Sequence, residues 1–244
     1  MLEKTATTRP YVIIHTHTAI DGNIFVMDLP EFEAGSQYYQ DLALNPSTQK
    51  LDIDAYVNGK TSAEDNITHY KTPDLDENAA QVPEGDYLAE PDAAMYYISI
   101  DPRGELAWPV NSFGYGGVEA HVFSVLTQAA SNAYKDFLRR MGISYMIAGD
   151  QQVDYELMLE KLHSYGIKRL MVGGGGVINW SLMQNKLVDE VSVILAPIAN
   201  VDPSAARLFT AREPYTTVED MAFDLAHLEH LGDGVVWLRY TPKS

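Results

Sequence analysis

The chain of 244 residues carries 34 acidic against 17 basic side chains, a formal net charge of −17, with 46% hydrophobic residues and no cysteine. Such a charge opposes binding to a nucleic-acid backbone or an anionic membrane surface, and the lack of cysteine removes disulfides, zinc–thiolate sites, iron–sulfur clusters and thiol nucleophiles together. The opening MLEKTATTRP lacks the apolar core of a signal peptide and no run of about 18 apolar residues occurs, so the expectation is a cytoplasmic protein built as one domain over residues 1–244.

A first strand is predicted over Tyr11 to Thr18, where YVIIHTHT is rich in β-branched and aromatic residues. His15 and His17 lie two apart on it, so both rings project from one face and can ligate a single metal ion. No HExxH motif or obvious third ligand accompanies them; a metal-dependent hydrolase is one reading of the pair, and a polar strand or satisfied core histidines is the plainer one. The strand runs into Thr18-Ala19-Ile20-Asp21-Gly22, ordinary turn chemistry that also brings a carboxylate to a loop.

From about 28 to 92 the chain holds 15 acidic residues and only three lysines, a local net of −12, with Pro30, Pro46, Pro73, Pro83 and Pro91 spread through it. Proline spacing and weak periodicity predict an acidic, loop-rich insertion with one or two short elements, shaping the substrate entrance and disfavouring highly anionic substrates. Beyond it, strands are predicted over Met95–Ile100 and His121–Leu126, a helix over Ser131–Met141 with Ser131 as N-cap and Gly142 as stop, and a strand over Ser144–Ala148. A helix over Asp154–Tyr165, a strand over Arg169–Val172, a helix near Ile178–Gln184 and a strand over Glu190–Ala196 follow. Alternation of this kind defines crossover units on a mostly parallel sheet with helices on both faces. Two last strands, Met221–Leu228 and Val235–Thr241, join through Gly232-Asp233-Gly234 as an antiparallel hairpin.

The most specific local feature is Gly173-Gly174-Gly175-Gly176 between a strand and a helix. Backbone N–H groups there can approach an anion that the helix N-terminus also attracts, which suits a dinucleotide pyrophosphate. It is neither the Rossmann fingerprint, since Ile178 and Asn179 stand where a small residue is required, nor a P-loop. Asn58-Gly59-Lys60-Thr61 and Asp101-Pro102-Arg103-Gly104 are turns by composition, each carrying a cation that can meet a phosphate. No Gly-x-Ser-x-Gly elbow is present, which excludes an α/β-type serine hydrolase.

Taken in order, RPYVIIHTHTAIDGNI, NGKT, SIDPRGEL, GISYMIAG and IKRLMVGGGGVINWSLMQNKLVDEVSVILAPI resemble the reductase domain of the bifunctional riboflavin-biosynthesis deaminase-reductase family. The last stretch is the most diagnostic. The resemblance implies a dihydrofolate-reductase-like three-layer α/β/α sandwich with a mostly parallel central sheet and a C-terminal antiparallel hairpin. It implies an NADPH-dependent reductase acting on a small polar carbonyl or imine, assembled as a homodimer through the hairpin that carries Trp237 and Tyr240. In that picture Gly174, Gly175, Gly176 and Val177 hold the pyrophosphate, and Gly59, Thr61 and Gly149 lie along the cofactor. Lys60 or Arg103 meets the 2′-phosphate, and Asp21, His17 and Thr18 sit near the reacting carbon. No metal is implied; a non-catalytic nucleotide-binding module is the remaining alternative. The chain departs from the family pattern on the substrate side, with Gly173 in place of a Glu, His15 in place of a Lys and Ala19 in place of a Ser.

Overall fold

The computed structural model describes residues 8–24 and 29–243. Its strands are β1 (Tyr11–Thr18), β2 (Ala55–Gly59), β3 (Tyr96–Ile100), β4 (Ser112–Tyr115), β5 (Val118–Leu126), β6 (Ser144–Ile147), β7 (Arg169–Gly174), β8 (Glu190–Leu195), β9 (Phe223–Gly232) and β10 (Val235–Pro242). The helices are α1 (Pro30–Ala43), α2 (Lys60–Ala63), α3 (Asn132–Met141), α4 (Tyr155–Ser164) and α5 (Gly176–Gln184), with a π-helical turn over Glu64–Thr68 after α2. All ten strands form one sheet in the order β4-β5-β3-β2-β7-β1-β8-β10-β9, with β6 also paired to β5.

β1 lies at the centre, parallel to β7 on one side and to β8 on the other. Val12, Ile13 and Ile14 are fully buried because helices cover both faces of the sheet, as a central parallel strand requires. Burying each such side chain stabilises the fold by roughly 1.5–3 kcal/mol. Alternation along the strands splits the core in two. Ile13 faces one layer with Tyr39 and Leu42 of α1 and Tyr134 and Leu138 of α3, whereas Val12 and Ile14 face Leu159 and Leu162 of α4 and Ile178 and Leu182 of α5. This is the expected three-layer sandwich. α3 begins where Ser131 accepts a hydrogen bond from the Tyr134 N–H at 3.1 Å and stops at Gly142, whose φ is +66°. The β9–β10 turn puts Asp233 (φ +51°) and Gly234 (φ +76°) in the left-handed region, the geometry of a two-residue hairpin loop.

The acidic stretch differs from its sequence reading. Asp28 lies outside the described residues, but the rest supplies the 14-residue helix α1 and the interior strand β2, paired in parallel with both β3 and β7. Pro30 occupies the first turn of α1, and Glu31 and Glu33 lie at its positive end, so proline and acid start this helix. Two stretches here are loop, 44–54 and the longer 69–95, which does not line the large cleft described below. The longer one crosses the outer edge of β6, where Tyr87 and Tyr145 exchange backbone hydrogen bonds of 2.8 Å. Asp86 secures it, accepting from the Ile147 N–H at 2.8 Å, from Lys161 Nζ at 2.9 Å and from the Tyr165 hydroxyl. Among the described residues no helix is long and apolar enough to cross a membrane.

Candidate active-site cleft

A cleft of about 870 Å³ opens at the C-terminal ends of β2, β3 and β7. This is where an α/β sheet of crossover units binds its ligands. Gly173 and Gly174 end β7 just before the cleft, Gly175 and Gly176 line it, and the four have separate tasks. Gly173 lies so close to Asn58 that a Cβ would stand 2.6 Å from Asn58 Oδ1 and 3.2 Å from the Tyr39 hydroxyl. Gly174 (φ +128°) and Gly175 (φ +36°) hold backbone conformations that side-chain-bearing residues avoid, and nothing lies within 4 Å of their Cβ positions. Gly176 opens α5, and a Cβ there would strike the Arg207 carbonyl and stand 2.5 Å from Thr210 Oγ1. No side chain caps the N-terminus of α5, which leaves its first N–H groups for an anion.

Gly59, Lys60, Thr61 and Arg103 line the same cleft as Gly175, Gly176 and Val177, so the structure gathers seven of the nine residues expected to hold a cofactor. Gly174 lies directly before them at the end of β7. Gly149 does not line the cleft. Its φ of +107° shapes the turn toward Asp154, a Cβ there would collide with the Gln152 carbonyl, and Gln152 and Asp154 themselves reach the cleft wall. The two expected cations differ. Lys60 Nζ stands 3.3 Å from Glu64 Oε1 and is also paired with Glu105. Arg103 has no carboxylate partner within 4 Å among the described residues, and neither does Arg212, which lines the cleft from the crossover between β8 and β9. Local sequence carries no mark of Arg212 because folding alone returns that crossover to α5, where the Thr210 N–H donates to the Gly176 carbonyl at 3.0 Å.

His17 and Thr18 end β1 and Asp21 lies in the turn that follows; Ile14 pairs in parallel with Val172, so β1 neighbours the strand that runs into the glycines. None of the three lines the cleft. Asp21 Oδ2 accepts from the backbone N–H of Val201 at 2.8 Å and of Asn200 at 3.1 Å, while Oδ1 accepts from that of Asn23 at 3.3 Å. These donors, Val201 foremost, hold its carboxyl below the ordinary value, so it stays ionised and serves as a latch on the crossover. Val201 is β-branched yet has φ +53°, a conformation the latch maintains. Its stabilising effect is present above the ordinary carboxylate value of 3.8 and is lost as pH falls through the lowered one. Replacing Asp21 with Ala is expected to accelerate amide exchange at Asn200 and Val201 selectively, leaving the β-sheet amides unchanged; unaltered exchange at Val201 would show that the latch is not formed.

Thr18 is buried at 3% exposure. His17 Nε2 lies 3.0 Å from Ser36 Oγ, and its ring packs on Phe32 and Tyr39 at centroid distances of 4.3 and 5.4 Å. His15 is fully buried and stacked on Tyr39 at 4.6 Å. Its Nε2 lies 3.1 Å from the Tyr39 carbonyl, which can only accept, so Nε2 carries the proton and Nδ1 accepts from the Ser192 hydroxyl at 2.9 Å. Ser192 Oγ in turn accepts from Trp237 Nε1 at 2.8 Å. Both nitrogens of His15 are thus committed to protein partners, which removes the geometric basis of a two-histidine metal site. The helix α1 contributes Ser36 and Tyr39 to this end of the sheet, and neither was legible as a site residue.

The strand order, with parallel strands delivering a glycine-lined helix start to one cleft and an antiparallel hairpin closing the sheet, defines a dihydrofolate-reductase-like fold with a nucleotide-sized site. Residues 115–237 match the family described as the RibD C-terminal domain, and the chain belongs to that family. It is 35% identical over 99 residues to the 2,5-diamino-6-ribosylamino-4(3H)-pyrimidinone 5′-phosphate reductase of Methanothermobacter thermautotrophicus, covering 41% of this chain and 45% of the relative. To the reductase of the same name from Aquifex aeolicus it is 34% identical over 101 residues, with the same coverage. These matches span less than half the length of either relative. In fold it is similar to a pyrimidine reductase-like protein from Corynebacterium diphtheriae, with a TM-score of 0.64 at 15% identity over 96% of this chain and 92% of the other. It is likewise similar to the riboflavin biosynthesis reductase Rib7 of Saccharomyces cerevisiae, with a TM-score of 0.57 at 14% identity over 99% and 93%.

Proposed function

We propose that the chain is a single reductase domain that uses NADPH to reduce a small polar substrate of the ribosylamino-pyrimidine class. The observation that carries this reading is the unobstructed backbone at Gly175 before the uncapped start of α5, inside a cleft large enough for a dinucleotide, in a chain of this family. The N–H groups from Gly175 to Val177 would hold the pyrophosphate, and Gly59, Thr61 and the turn after Gly149 would flank the remainder. Among the described residues, Arg103 and Arg212 are the cleft cations without a carboxylate partner, and they would meet the 2′-phosphate. Bound NADPH supplies a hydride for the electrophilic carbon, and the protein aligns the two reactants. Asp21 is ionised and engaged by the backbone, and burial lowers His17 to about 4, so at neutral pH neither offers a proton; water delivers it to the substrate heteroatom.

Consumption of NADPH with the ribosylamino-pyrimidinone 5′-phosphate as substrate tests the activity. Turnover is expected, and NADPH binding without turnover of this or related imines would favour a non-catalytic nucleotide-binding module. Replacing Arg103 or Arg212 with Ala is expected to weaken NADPH about tenfold and NADH little, the scale of a charge-assisted hydrogen bond; equal weakening of both nucleotides would move the 2′-phosphate elsewhere. The same reading makes the protein a cytoplasmic homodimer. Its contact surface is shifted from the sequence expectation, because Trp237 is 2% exposed whereas Leu225 and Leu228 on the edge strand β9 are 55% and 61% exposed.

A further inference from the structure

Lys60, Arg103 and Glu105 face the cleft from two neighbouring strand ends, Lys60 at the start of α2 after β2 and the others on the turn after β3. That turn is rigid. Asp101 Oδ2 accepts from the N–H groups of Glu105 and Leu106 at 2.8 and 3.0 Å and from the Tyr134 hydroxyl at 3.0 Å. Gly104 has φ +73° and lies so close to the Tyr134 ring that no Cβ fits. Glu105 is therefore carried on a fixed backbone, and its half-exposed carboxylate pairs with Lys60, which Glu64 also approaches at 3.3 Å. Two carboxylates thus neutralise one of the two cations on this wall and leave Arg103 alone.

With the pyrophosphate at the start of α5 and the reacting end beside β1, the adenosine half of a dinucleotide extends the other way, toward these residues. A 2′-phosphate there needs unpaired cations and is repelled by a carboxylate, whereas a free ribose hydroxyl is well served by a carboxylate acceptor. We propose that Glu105 is a specificity-determining residue: by occupying Lys60, it narrows the preference for NADPH over NADH and allows the cleft to use both. The inference rests on the assignment of this cleft to a nicotinamide nucleotide.

The test compares dissociation constants for NADPH and NADH, read by nicotinamide fluorescence, in the wild type, Glu105→Gln and the double variant Lys60→Met/Glu105→Gln. Displacement by adenosine 2′,5′-bisphosphate, which lacks the nicotinamide, reports the adenosine end alone. Glu105→Gln is expected to tighten NADPH and the bisphosphate about five- to tenfold without tightening NADH, the scale of one partly screened charge contact, and the double variant is expected to lose most of that gain. If both nucleotides bind the wild type but Glu105→Gln leaves their ratio unchanged, the inference is overturned and the cofactor assignment stands. A gain that survives loss of Lys60 also overturns it, since Lys60 would not be what Glu105 controls. If the wild type binds neither nucleotide, the assignment falls and the inference with it.

Discussion

Replacing Gly174 with Val is expected to lower nicotinamide-nucleotide affinity by about a hundredfold or more, because backbone strain of roughly 1–3 kcal/mol directly before Gly175 displaces the N–H groups that open α5. Gly174 has φ +128°, a region that a β-branched residue does not enter without strain, and the space over it is open. Gly173 and Gly176 are poorer probes. A side chain at Gly173 would push on Asn58 and one at Gly176 on Arg207, so both would disturb packing as well as the site. Gly166→Val is the appropriate control: φ is +91°, nothing lies within 4 Å of its Cβ position, and it follows α4 away from the cleft. That variant is expected to lose stability to a similar degree while binding nucleotide normally. Wild-type affinity in Gly174→Val would place the phosphates elsewhere in the cleft.

Acidification is expected to destabilise the protein by about 3 kcal/mol between pH 7.5 and pH 5.5, well before the carboxylates titrate. The cause is burial of His15 and His17, each lowered from 6.5 to about 4. Below pH 6.5 the unfolded chain takes up a proton at each ring, while the folded chain does so only near pH 4. Stability is therefore undiminished above 6.5 and falls through that window by about 1.4 kcal/mol per histidine per pH unit. His121, whose Nε2 lies 2.9 Å from Ser144 Oγ, is lowered by burial in the same direction. Urea unfolding followed across pH 5 to 8 checks the slope, and His17→Phe is expected to remove close to half of it. A flat profile down to pH 5.5 would mean that both rings are solvated.

Much of the scaffold was legible because local chemistry and tertiary demand agree. Ser131 and Gly142 bound α3 through capping, and Gly232-Asp233-Gly234 turns the hairpin through positive φ angles that few other residues accept. The glycine run was legible for the same reason. α1 was not, because Gly35 and Ser36 interrupt its apolar stripe for purposes that only the fold explains. Gly35 lets the helix approach β8, where a Cβ would stand 3.4 Å from Ala196 Cβ, and Ser36 reaches His17. β2 is five residues flanked by charges, among them Asp54, whose carboxylate accepts from the Lys168 and Arg169 N–H groups at 2.7 and 2.9 Å. Its acidity caps a neighbouring strand, a pairing separated by more than a hundred residues that no local pattern announces. The same distance hides Arg212 and the engagement of Asp21 by the backbone of Asn200 and Val201.

The strap that crosses β6 also bears on how copies of the protein can meet. A sheet with two open edges can recruit strands at both and grow without limit, whereas here the β6 edge is occupied by the chain's own Tyr87 and the adjoining β4 is only four residues long. The ten-residue β9 is the long outer strand at the opposite side. The open edge is thereby one-sided: two molecules pairing through β9 would leave no comparable edge for a third, a geometry that opposes propagation as a fibre.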